Sequence, residues 1–173
     1  MDISVVRGDI VAEHVDAVVN AANSGLMGGG GVDGAILRAG GSAQLAARRA
    51  LRDRIGSLPT GCAAWSDAGE MPARWVIHVV GPVWSAHEDR SALLASCYRE
   101  ALRVADELGA RSVAFPAVSA GVYGWPIASA ADIAVATIRA TTSGVGQVRF
   151  VLFNQPAYDE FARALSAPPR GAG

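Results

Sequence analysis

The feature that most constrains this chain is the stretch Val19-Asn20-Ala21-Ala22-Asn23-Ser24-Gly25-Leu26-Met27-Gly28-Gly29-Gly30-Gly31-Val32-Asp33-Gly34. A short apolar run, Asp16 to Val19, stops at amide side chains, crosses four consecutive glycines, and leads into a helical pattern with Asp33 in its first turn. Adjacent glycines are costly to order. A compact domain retains them where backbone N–H groups approach a ligand closely, typically a phosphate at a helix N-terminus. The stretch therefore predicts a strand, a ligand-binding loop and a helix in immediate succession.

The rest of the chain alternates in the same way. Ile3 to Val6, Asp16 to Val19, Gly61 to Ser66, Trp75 to Val80, Ser112 to Phe115 and Gln147 to Phe153 read as strands. The third and fourth, joined by a turn-like connection, are expected to be sheet neighbours. From Val32 the helical pattern passes through Ile36 and Leu37. After a Gly40-Gly41 break with Ser42 as N-cap, it continues through Leu45, Ala46, Arg49 and Leu51 to about Ile55. A second helix, capped by Ser91, carries Leu94, Cys97, Tyr98, Ala101, Leu102, Ala105 and Leu108 at spacings of three and four and stops at Gly109. Pro126 suits the first turn of a helix to about Arg139, and a closing helix spans Ala157 to Leu165. Strands alternating with helices imply a largely parallel sheet covered on both faces, whose ligands sit beyond the strand C-termini. Two glycine loops lie there, the second being Pro116 to Pro126.

A chain of 173 residues suits one domain, taken as 1–166, with 167–173 a disordered tail. No apolar run spans a bilayer and Met1-Asp2-Ile3-Ser4-Val5 lacks a secretion pattern, so a cytoplasmic protein is expected. Fifteen basic against sixteen acidic side chains give a formal charge of −1, without the excess of a dedicated nucleic-acid binder. Cys62 and Cys97 read as reduced packing residues. The three histidines are scattered, so no metal is expected, and His78, inside a strand, reads as packed and hydrogen-bonded. The first strand is followed by Arg7-Gly8-Asp9-Ile10 rather than a dinucleotide fingerprint, and no Gly-Lys-Ser/Thr tripeptide supplies a Walker-type loop.

Gly8-Asp9-Ile10, Val19-Asn20-Ala21-Ala22-Asn23, Gly28 to Ile36 and Gly121-Val122-Tyr123-Gly124 closely resemble the motifs of macrodomains, in the MacroD-type branch. Ile77-His78-Val79-Val80-Gly81-Pro82 fits the same pattern, and the resemblance covers about residues 2 to 165. It implies a three-layer α/β/α sandwich with a mixed, largely parallel sheet that binds ADP-ribose, and enzymes that remove ADP-ribose from modified proteins. It also implies roles. Asp9 accepts from the adenine amine, or is an N-cap, and Ile10 offers backbone contact. Asn23 binds the distal ribose; Asn20 either joins it or braces the loop. Gly29, Gly30, Gly31 and Val32 hold one side of the diphosphate, and Ser119, Ala120, Gly121, Val122 and Tyr123 hold the other. Tyr123 lies over the distal ribose, and Phe153 either stacks on adenine or belongs to the core.

Asp33 and Asn23 are the expected catalytic pair, with Asp33 orienting or deprotonating a water that attacks the distal ribose. In MacroD-type enzymes a histidine commonly follows that acid one helical turn later; here the position is Leu37. The departure leaves two expectations. One is a hydrolase of ADP-ribosylated Asp or Glu, with deacetylation of O-acetyl-ADP-ribose as a second activity. The other is a non-catalytic reader. The expected partners are ADP-ribose and ADP-ribosylated proteins, with no cofactor, no membrane, no nucleic acid and a monomeric state.

Overall fold

The computed structural model describes residues 1–169. Six strands form one sheet: β1 (Asp2–Arg7), β2 (Ala17–Ala22), β3 (Ala63–Asp67), β4 (Trp75–Val80), β5 (Ser112–Phe115) and β6 (Gln147–Leu152). Their order is β1-β6-β5-β2-β4-β3, with every neighbouring pair parallel except β3 and β4, which are antiparallel neighbours as expected. Four helices cover it: α1 (Gly31–Ile55), α2 (Ser91–Leu108), α3 (Ile127–Ala140) and α4 (Gln155–Ser166). Among the described residues no helix is long and apolar enough to cross a membrane.

Strand alternation sends successive side chains to opposite layers. Ala17, Val19, Ile77, Val79, Val113, Phe115, Val148 and Phe150 face α2, α3 and α4 in the larger core. Val18, Val76, Ala114 and Val151 face the other way, against Ile36 of α1. The expected three layers are therefore present, with α1 alone on the second face.

The break in α1 falls at Gly41, whose φ of 67° and ψ of −161° leave helical space. It sits one residue before the expected cap. The helical face differs more. Leu51 is buried, but Ala46 and Arg49 are exposed, and the fully buried side chains of this half are Gln44 and Arg48. Arg90, not Ser91, is the N-cap of α2, and Pro126 is the N-cap of α3 rather than its first residue. Helix α4 starts two residues early because Asn154 Oδ1 accepts from Ala157 N at 2.9 Å, a side-chain cap. Cys97 is buried in the larger core, whereas Cys62 is exposed. Of the expected tail, residues 167–169 are described, with Ala167 O accepting from Arg139 Nη1 at 3.0 Å, and 170–173 lie outside the described residues.

Candidate functional site

The five parallel strands β1, β2, β4, β5 and β6 end on one edge, so the loops after them converge there. Between those loops lies a cleft of two lobes sharing Gly31, Val32, Pro116, Ala117 and Gly121. The larger lobe, about 680 Å³, is bounded by Asp9, Ile10, Arg38, Phe153 and Asn154 among others. The smaller, about 390 Å³, is bounded by Ala22, Asn23, Gly29, Gly30, Asp33, Ser119, Val122 and Tyr123.

One wall is the glycine loop and the start of α1. Gly28 (φ 93°) and Gly31 (φ 60°) hold left-handed backbone. The N-cap is Gly30, which offers no side-chain hydrogen bond to the first turn. The N-terminal amides of α1 thus meet the cleft uncapped by a side chain, the arrangement that suits a phosphate. Asn23 Nδ2 donates to Gly28 O at 3.1 Å, which fixes the loop from inside.

The facing wall is the loop after β5. Tyr98 Oη, buried in α2, accepts from Val118 N at 3.2 Å, and Trp125 N donates to Ser119 O at 3.0 Å. Trp84 N donates to Tyr123 O at 2.8 Å, and the Trp84 and Trp125 rings meet edge-on at 5.1 Å. Ser119 is a non-glycine residue at φ 66°, an uncommon conformation held by these bonds, and its buried Oγ has no hydrogen-bond partner among the described residues. Val122, at the tip, is fully exposed.

The expected site residues gather in this cleft with one exception. Asp9 caps a 3-10 turn, accepting from Val11 N at 3.2 Å, and also rims the larger lobe. Phe153 is 81% exposed at the rim of that lobe, which removes the core alternative for its ring. Asn20 is the exception: it is fully buried and borders neither lobe, which is against a direct ligand contact and leaves the expected alternative, a bracing residue. Its Nδ2 donates to Asp33 Oδ1 at 2.9 Å and lies 3.1 Å from His78 Nδ1.

Asp33 is 5% exposed and borders the smaller lobe. Behind it, Arg48 Nη1 donates to the same Oδ1 in a buried ion pair. Sequence reasoning missed Arg48 and Gln44, both fully buried. Residues 44 and 48 lie one turn apart in the second half of α1, but the Gly41 break separates them from Asp33, so no single helical period joins the three; Asn20 and His78 are paired across β2 and β4. His78 is buried and hydrogen-bonded as expected, and burial, helped by the Arg48 charge, pushes its pKa down to about 3.

A doubly covered, largely parallel sheet with a two-lobed cleft at its C-terminal edge defines an α/β protein with a ligand site at the strand ends. Residues 19–134 match the Macro domain family, and the chain belongs to that family. It is 66% identical over 165 residues to the "Macro domain-containing protein in sno 5'region" of Streptomyces nogalater, covering 94% of this chain and 91% of that one. It is 46% identical over 168 residues to the O-acetyl-ADP-ribose deacetylase of Enterobacter cloacae, covering 95% and 93%. Its fold matches the Oceanobacillus iheyensis macrodomain solved with ADP, at a TM-score of 0.88 and 42% identity over 93% of this chain and 88% of that one.

Proposed function

We propose that residues 1–166 act as one macrodomain that binds ADP-ribose and hydrolyses ester bonds at its distal ribose, as a cytoplasmic monomer without a cofactor. The substrates are proteins carrying ADP-ribose on Asp or Glu, with O-acetyl-ADP-ribose as a second substrate. The observation that carries the reading is a carboxylate, Asp33, at the uncapped start of α1 and on the wall of the smaller lobe. Adenine fits the larger lobe beside Asp9, Ile10 and Phe153, and the diphosphate fits the shared waist. There the loops Gly29 to Val32 and Ser119 to Tyr123 line it from opposite sides and would offer it backbone amides, Ala120 N excepted, which donates to Ala117 O at 3.2 Å. Hydrogen bonds to a charged group contribute roughly 1.5–3 kcal/mol each, so a few hold a dianion without a basic patch. The relatives' names agree: one is a deacetylase of O-acetyl-ADP-ribose and one was solved with ADP.

The distal ribose then reaches Asn23, Asp33 and Tyr123. Water, hydrogen-bonded to Asp33, attacks the anomeric carbon; the bond from that carbon to the ester oxygen breaks, and the protein carboxylate leaves with the electron pair. The water's proton passes to Asp33. For O-acetyl-ADP-ribose the same water attacks the acetyl carbonyl, releasing acetate and ADP-ribose.

The test is release of ADP-ribose from an auto-modified ADP-ribosyltransferase. Both Asp33→Asn and Asp33→Ala remove the charge that pairs with buried Arg48, at a cost of about 3–5 kcal/mol, but Asp33→Asn is the better variant because its amide oxygen still accepts from Arg48. The expected loss of turnover in Asp33→Asn is about 10²–10⁴-fold. Unchanged release by that variant rejects the mechanism. A second reading, a non-catalytic reader, is favoured by Leu37 in the place of a titratable partner. It predicts ADP-ribose binding by calorimetry with no turnover by the wild-type protein.

A further inference from the structure

We propose that Arg48, Gln44, Ser66 and His78 are positioning residues, closing with Asn20 a buried hydrogen-bonded ring that fixes the Asp33 carboxylate against the smaller lobe. The inference rests on Asp33 acting on substrate as proposed above.

The ring can be followed donor by donor. Arg48 donates from Nη1 to Asp33 Oδ1 and from Nε to Gln44 Oε1 at 2.9 Å. Gln44 Nε2 donates to Ser66 Oγ at 3.0 Å and to Asp67 O at 2.7 Å. Ser66 Oγ lies 2.8 Å from His78 Nε2, and His78 Nδ1 lies 3.1 Å from Asn20 Nδ2, which donates to Asp33 Oδ1. Donor and acceptor chemistry fixes the amide and imidazole orientations, while Asn20 Oδ1 and Arg48 Nη2 are buried without a hydrogen-bond partner among the described residues. Arginine only donates, so Gln44 must present its oxygen to Arg48 and its amide to Ser66. A carboxylate only accepts, so Asn20 presents Nδ2 to Asp33 and therefore to His78. His78 Nδ1 must accept, which places its proton on Nε2, toward Ser66. A second proton on His78 would face the Asn20 amide hydrogens, in keeping with a pKa pushed down to about 3 by burial.

The placement is tertiary. Asn20 pairs with His78, and Ser66 lies two residues along β3 from the partner of His78, so all three point toward α1. Asp33, Gln44 and Arg48 come from α1 itself. The ring separates two apolar clusters of that layer, one around Ile36, Val18 and Val76, the other around Leu51, Ala22 and Val80. A core built for stability alone gains by filling such a position with apolar side chains. What the ring achieves is orientation. Asp33 Oδ1 takes two buried donors. Oδ2 makes no hydrogen bond and is not among the buried unpaired atoms, so it is the oxygen left to the cleft. None of Arg48, Gln44, Ser66 and His78 borders either lobe.

A positioning role therefore separates rate from binding. The experiment measures turnover of a mono-ADP-ribosylated glutamate substrate, ADP-ribose affinity and melting temperature for wild type, Asp33→Asn, Arg48→Met, Arg48→Lys and Ser66→Ala. Arg48→Met is expected to lower kcat about 10–100-fold, through misplacement of the carboxylate, with ADP-ribose affinity within about twofold. Arg48→Lys recovers part of the loss, since an ammonium keeps the charge but lacks the rigid planar fork that donates from Nε to Gln44 and from Nη1 to Asp33. Ser66→Ala, which keeps the ion pair and the fold should Arg48→Met not fold, lowers kcat about 3–10-fold at unchanged affinity. Wild-type kcat in folded Ser66→Ala and Arg48→Lys overturns the inference, as does a loss of affinity equal to the loss of rate. Turnover lost in Asp33→Asn but kept in the ring variants overturns the inference alone. No turnover by wild type overturns the catalytic reading and the inference with it.

Discussion

At the scale of single residues, burial of a charge or a histidine decides what the neighbouring groups can do. His78 is fully buried with both ring nitrogens engaged, and its pKa falls from the usual 6.5 to about 3. Above pH 6.5 neither state carries the proton. As pH falls below 6.5 the unfolded chain binds a proton that the folded chain refuses, so stability drops until pH reaches about 3. The loss is about 1.4 kcal/mol per pH unit, or about 2 kcal/mol at pH 5.0. Urea unfolding at neutral pH and at pH 5.0 should show this difference in wild type, reduced by about that amount in His78→Gln. An equal pH difference in both proteins would assign the proton to another group. A strand histidine with no helical partner already read as packed; its two partners did not, because Ser66 and Asn20 come from different strands.

At the scale of elements, α1 does the positioning and its kink sets what packs on it. Gly41 sits at φ 67° and ψ −161°, where a Cβ would lie 2.6 Å from the Glu70 carboxylate. Beside it, Gly40 O accepts from Glu70 N at 3.0 Å, and that loop brings the Asp67 carbonyl to Gln44. Gly41→Ala is expected to cost about 1–3 kcal/mol through backbone strain. Thermal unfolding checks the loss, and an unchanged melting temperature would show that the kink relaxes freely. The Gly40-Gly41 break was legible, since paired glycines interrupt a helical pattern. Which face of the second half turned inward was not, because polar Gln44 and Arg48 took the place of the expected apolar row.

At the scale of the whole molecule, a formal charge of −1 sets how an anion can be held. Residues of two loops line the waist of the cleft, and Arg38 is the basic side chain bordering the cleft among the described residues; in the proposed reading the anion is held by backbone amides of those loops. Binding through partly enclosed dipoles is weakly screened. ADP-ribose affinity by calorimetry should therefore change less than about threefold between about 50 and about 500 mM NaCl. A steep fall with salt, of the kind seen when phosphates displace counterions from a basic surface, would point to polyanion binding instead.

By itself the sequence determined the alternation of strands and helices, the two glycine loops beyond the strand ends and the order of the motifs that carry Asp9, Asn23, Asp33 and Tyr123. These are local patterns, set by backbone freedom at glycine and by periods of 2 and 3.6 residues, and they survive reading along one dimension. Only the tertiary structure decided that Asn20 lies behind the cleft wall, that Phe153 is exposed at its rim, and that Asp33 turns one oxygen to Arg48. The reason is energetic. A polar helix residue reads as solvent-facing because its desolvation cost is large, and the partners that offset that cost at positions 20, 66 and 78 are supplied by the folded sheet.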